Sequence, residues 1–207
     1  MGLLDSERLA FLKKLQPASI KRLASLRMED VIGVEAKRAR VRVKTLRARY
    51  PSAGPRELGQ HVIESTKGLA SLSGSVSGVF GLVSVPADLV VMAWLQIRML
   101  DDIATAYGVD LRFRRARTEL LGVLGEANGV GPLQRSGPKV LGKVAAVIAE
   151  KGGFVSIGRA MPLVAAPVTA WLNNHHIQVV GEAALRQYDG FARAAAKTRA
   201  ASGVNAP

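Results

Sequence analysis

The chain has 207 residues and a formal net charge of +13, with 48% hydrophobic, 5% aromatic and 22% charged residues. That is long enough and apolar enough to bury a core, which excludes a disordered chain, and the shortage of aromatics argues against a base-stacking nucleic-acid surface. With no cysteine, disulfides, thiolate metal sites and cysteine nucleophiles are all excluded.

Taken in chain order, nearly every segment reads as helix, with breakers where the pattern changes. Residues 3–15 form an amphipathic helix carrying Asp5 and Glu7, with Leu3, Leu4, Phe11 and Leu12 as its apolar side. No uninterrupted apolar run comes after it, so no signal peptide is expected and a cytoplasmic location is favoured. The next helix, 18–49, is the clearest amphipath: Ile32, Ala36, Ala39, Val43, Leu46 and Tyr50 make one narrow apolar stripe. Around it stand Lys37, Arg38, Arg40, Arg42, Lys44, Arg47 and Arg49, with Glu35 as the one nearby acid. Pro51 and Pro55 then bracket a break.

Helices at 56–83 and 86–107 form a hairpin. Residues 68–87 carry no charge, and Gly74, Gly78 and Gly81 fall at i, i+4 and i+7. On a helix these line one bare stripe where another backbone or a lipid chain can approach closely. Interior glycines cost about 1 kcal/mol each against alanine, so close helix contact is expected as the offset. The stretch is long enough to span a bilayer but too rich in Gly and Ser; buried helices of a soluble bundle are favoured over shallow insertion. Beyond Gly108 come a basic knot at Arg112, Arg114, Arg115 and Arg117, helices at 111–127 and 137–151, a shorter one near 155–164, and a last helix at 167–200.

Charge is distributed unevenly. Residues 1–50 hold 13 Lys/Arg against 5 Asp/Glu, residues 51–110 hold 3 against 6, and residues 111–207 hold 13 against 5. Two basic flanks enclosing a nearly neutral centre suit a protein that meets an anionic surface with its ends.

The order Gly74-x3-Gly78-x2-Gly81-Leu82, Pro86-Ala-Asp88-Leu89, then Leu95, Arg98, Asp102, Ile103-Ala104-x2-Tyr107-Gly108 closely resembles the signature of the bacterial EcsC family. Gly142-Lys143, Met161-Pro162, Asn173 and Gly181-x-Ala183-Ala184 through Tyr188 resemble that family's C-terminal pattern, so the likeness covers roughly 55–190. Departures are the basic run at 112–117 and Pro167. The resemblance implies an all-helical protein. The family takes its name from a protein encoded beside an ABC transporter, which implies proximity to a membrane and supplies no reaction.

Other motifs fail on inspection. Residues 137–144 approach a phosphate-binding loop but end in Val144, which cannot ligate magnesium, and no strand leads into them. Gly74-Ser-Val-Ser-Gly78 has valine where a nucleophile would stand. His175 and His176 point about 100° apart on a helix, so no metal site is expected. Asp101 and Asp102 could act as acid and base only with a convergent partner. The simpler reading pairs one of them with Arg98 and sets Asp88 in a helix first turn.

The expectation is therefore an all-α, single multi-helix bundle around a glycine-striped hairpin: basic helices in 1–54, the helical domain in 55–199 and a frayed tail in 200–207. Its expected role is non-enzymatic: a peripheral, membrane-associated accessory protein binding anionic phospholipid or a membrane protein, without cofactors and not nucleic acid. Lys37, Arg38, Arg40, Arg42, Lys44, Arg47, Arg49, Arg112, Arg114 and Arg115 supply the attraction. The alternative is a soluble scaffold that forms homo-oligomers or binds a protein partner through its glycine stripe.

Overall fold

The structure, a computed structural model, describes residues 16–80, 85–131, 141–151 and 165–201. Within these there are seven α-helices and no strand: α1 (Pro17–Ser25), α2 (Met28–Arg49), α3 (Pro55–Phe80), α4 (Val85–Ala106), α5 (Arg114–Ala127), α6 (Leu141–Lys151) and α7 (Ala165–Ala201). The expected helices at 3–15 and 155–164, and the tail beyond Ala201, lie outside the described residues.

Prolines open these helices as their chemistry requires. Pro17 and Pro55 occupy the first position, and Pro86 and Pro167 lie within the first turn, where a missing N–H breaks no helical bond. Glycines close two of them: Gly108 (φ +78°) ends α4 and Gly129 (φ +67°) comes after α5. In each case the next amide reaches back five residues, Val109 to the Ala104 carbonyl and Val130 to that of Gly125, both at 2.9 Å.

The expected continuous helix over 18–49 is two helices. Leu26 and Arg27 are extended (ψ 146° and 143°) although neither is a helix breaker. The cause is tertiary: the Leu26 carbonyl accepts the amide of Leu141 at 3.0 Å, and Ala24 packs on Gly142. A bulkier residue at 142 would meet the Ala24 carbonyl at 3.0 Å.

α4 is the axis of the bundle. Val90, Val91, Met92, Ala93, Trp94, Leu95, Ile97, Met99, Leu100, Ile103, Ala104 and Ala106 are all buried, so the helix is covered on every side. It packs against α2, α3, α6 and α7, with further contacts to α1 and α5. α3 runs antiparallel to it and to α7: Arg56 meets Asp189 at one end, and Ser71 donates to Asn174 at 3.1 Å at the other. The hairpin of α3 and α4 is thus packed on the last helix.

Among the described residues, the glycines at the tight crossing are Gly59 and Gly181. A Cβ on Gly59 would stand 2.5 Å from Leu185 Cδ2, and one on Gly181 2.5 Å from Ile63 Cγ1 and 3.3 Å from Met99 Sδ. Gly68, by contrast, faces open space. Gly74 and Gly78 lie on α3, but their packing partners, and the whole of Gly81, fall outside the described residues. Among the described residues no helix is long and apolar enough to cross a membrane.

Candidate functional site

Two features stand out where α2 lies along α4: a knot of buried charge between them and a cationic face on the outside. The knot begins with Glu35, placed by helical periodicity on the apolar side of α2, two turns before Arg42. Arg42 turns inward and grips Asp102 with Nε at 3.0 and 2.9 Å and Nη2 at 2.8 Å. Its Nη1 donates to Glu35 at 3.2 Å. The other Glu35 oxygen accepts from Arg38 at 2.6 Å and from the Trp94 indole at 3.3 Å. Glu35 and Asp102 are 2% and 5% exposed, so these are charge-assisted bonds in a low-dielectric setting.

Electrostatics reflect that geometry. Burial works against the charge on Arg42, but Asp102 and then Glu35 outweigh it and raise its pKa above the ordinary value. Burial raises Asp102, while Arg42 first and Arg98 after it draw it back. The net effect of burial and these guanidinium groups leaves Asp102 above its ordinary value. Asp101, next along the helix, has neither oxygen hydrogen-bonded.

Against expectation, Arg42 is therefore no surface cation; its buried helix face directs it to the interior. Arg38 is half exposed but spends a bond on Glu35. Asp102 is gripped by Arg42, 60 residues away, and Arg98, one turn before it, adds its charge. Arg47 donates to the Ala106 carbonyl at 3.0 Å, and Arg49 lies 5.7 Å from the centre of the Tyr50 ring. Asp88 falls in the first turn of α4 as expected, its side chain outside the described residues. Tyr107 donates to Asp189 at 2.5 Å, joining α4 to α7, and Asn173 is buried with an unpartnered Nδ2.

Of the remaining expected cations, Arg40 and Arg112 are brought together on one carboxylate. Arg40 reaches Asp110 at 3.3 Å, and Arg112 grips the same carboxylate with bonds of 2.6–3.0 Å. The segment after α4 is thereby pinned along α2. The Arg117 guanidinium lies 3.8 Å from where a Gly33 Cβ would be, which carries α5 onto the same flank. Gly33, Lys37, Arg40 and Lys44 recur at helical spacing and line that border. Arg115 pairs with Glu119 at 3.0 Å; Arg114, Lys37 and Lys44 are exposed, and no ion pair holds them among the described residues. Between and beside these cations Val34, Val41 and Phe113 are 49%, 67% and 66% exposed.

The histidines do not converge on a metal, and among the described residues no group of three or more His, Asp or Glu side chains could hold one. His176 instead meets Asn128 Oδ1 at 2.6 Å. Both Asn128 amide hydrogens are committed, to Gln96 at 2.9 Å and the Leu124 carbonyl at 2.6 Å. Its oxygen must accept, so His176 donates from Nε2. Burial first, then His175, lowers His176 to about 4.

The model of the EcsC protein family matches residues 12–136. The chain belongs to the EcsC protein family. The matched part holds the whole Glu35–Arg42–Asp102 knot and the cationic face of this EcsC-family chain, and stops short of α6 and α7. It also takes in α1 and α2, which the resemblance at 55–190 leaves aside. No curated protein and no solved structure matches the chain.

Sequence reasoning misses the interior role of Glu35, misses Gly59 and Asp189 altogether, and misses the roles of Arg42 and Gly181. One signal was available for the first: an acid on an otherwise apolar stripe, seven residues before an arginine, marks an interior pair. Nothing local marks Gly59, because its neighbour Leu185 lies on another helix.

Proposed function

We propose that this protein is a non-enzymatic, peripheral membrane protein that binds an anionic phospholipid surface through the outer face of α2 and the start of α5. One observation carries the reading: Lys37 and Lys44 stand exposed and outside any ion pair among the described residues, flanking the exposed Val34 and Val41. Cations around a shallow apolar strip are the pattern of an interfacial helix, with charge attracting and the valines and Phe113 entering the headgroup layer. Arg40, Arg112, Arg114 and Arg115 add cations beside it, against the acids Asp110 and Glu119 and, at the start of α2, the exposed Glu29 and Asp30.

The inner leaflet of the cytoplasmic membrane has the matching charge. Binding rather than turnover is favoured because the acids suited to general acid–base work are sealed, Asp101 at 0% and Asp102 at 5% exposure.

Co-sedimentation with vesicles tests it. Binding to vesicles containing phosphatidylglycerol should far exceed binding to pure phosphatidylcholine and should fall steeply with salt. Reversing Lys37, Lys44 and Arg114 to Glu together should weaken it by about a hundredfold or more, at about 1 kcal/mol per basic residue near the surface. Equal binding to both vesicle types, or full binding by the triple variant, rules the reading out.

A further inference from the structure

Asp101 presents a problem that the rest of the knot solves for its own members. It is 0% exposed, and both its oxygens lack a hydrogen-bond donor. Near enough to act on its charge are Glu35 and Arg42 from α2, Asp102 on its own helix, Arg117 from α5 and Tyr188 from α7. The cations are already committed. Arg42 divides itself between Asp102 and Glu35, Arg38 serves Glu35, and the Arg117 Nε donates to the Leu111 carbonyl at 2.6 Å. Arg42 and Arg38 are thus spent on Asp102 and Glu35, and no guanidinium donates to Asp101. The Tyr188 hydroxyl is also buried without a partner. Burial above all, then the charges of Asp102 and Glu35, holds Asp101 well above the ordinary aspartate range.

We infer that Asp101 is a resident carboxylic acid of the folded chain, keeping its proton at neutral pH, and that loss of this proton loosens α5 and α7 from α4. The fold is then proton-loaded, a property independent of what the outer face binds. The sign is fixed by linkage. Unfolded, Asp101 releases its proton near 3.8; folded, it does so at higher pH. Between the two values the folded state holds more protons, so stability falls as pH rises. Within that window each pH unit lowers the folded-to-unfolded ratio by up to tenfold.

The test compares wild type with Asp101→Asn, which keeps the shape and removes the ionisation. Urea unfolding from pH 5 to 9 should show wild type losing stability relative to the variant by as much as tenfold per unit. Infrared spectra of wild type at pH 7 should contain the carbonyl stretch of an un-ionised carboxylic acid that vanishes at high pH. Amide exchange, corrected for its intrinsic pH dependence, should quicken in α5 and α7 before α3. Parallel pH curves for the two proteins overturn the inference. So does a neutral-pH wild-type spectrum without that band, which decides the matter alone if the variant does not fold. Uniform quickening across all helices overturns the assignment to α5 and α7.

Discussion

Replacing Arg42 by methionine keeps most of the aliphatic volume and removes the charge, which isolates what the guanidinium does. Asp102 would lose its three contacts at 2.8–3.0 Å, and Glu35 would lose one at 3.2 Å while keeping Arg38 and Trp94. Breaking a buried pair from one side costs about 3–5 kcal/mol, because the surviving carboxylate stays out of water without its counter-charge. For a chain of this length that lowers the melting temperature by roughly 6–20 °C. Thermal and urea unfolding followed by circular dichroism would measure it, with Arg115→Ala, 91% exposed, as a control expected to stay within about 0.5 kcal/mol. Arg42→Met combined with Asp102→Asn and Glu35→Gln should recover much of the loss, since no buried charge then lacks a partner. A loss from Arg42→Met no larger than the control's would refute the claim that the knot is dry and mutually dependent.

Further outcomes are expected from the packing and the titrating groups. Gly181→Ala should destabilise by about 1–3 kcal/mol, because the new methyl meets buried Ile63 at 2.5 Å, whereas Gly68→Ala, facing open space on α3, should stabilise by up to about 1 kcal/mol. If the two changes shift the urea midpoint alike, the α3–α7 crossing is misread. His176, lowered from 6.5 to about 4 in the fold, should make stability decline as pH drops from 6.5 towards 4, by about 3 kcal/mol in all. His176→Gln should flatten that acid limb, and an unchanged limb would contradict the buried neutral ring. Tyr107→Phe removes a bond to the Asp189 carboxylate and should cost about 1.5–3 kcal/mol, read by urea unfolding; a neutral result would mean water replaces it.

The amino-acid order by itself determined the helical class and most helix limits. Prolines at 17, 55, 86 and 167 and glycines at 108 and 129 act on the backbone through their own φ preferences, which depend on no neighbour in space. It named the hairpin holding α4 as the centre of the bundle, and α4 is buried along most of its length. It also marked α2 as a basic amphipath. Tertiary structure alone decided which of its cations face out. Lys44 and Arg42 are two residues apart, and only the arrival of Asp102 from α4 makes one an interior ligand and leaves the other at the surface. The break at Leu26 and the tight glycines 59 and 181 likewise arise from partners 100 or more residues away. Local spacing fixes which way a side chain leaves its own helix. What it then meets depends on how the helices are laid side by side, and that no single segment encodes.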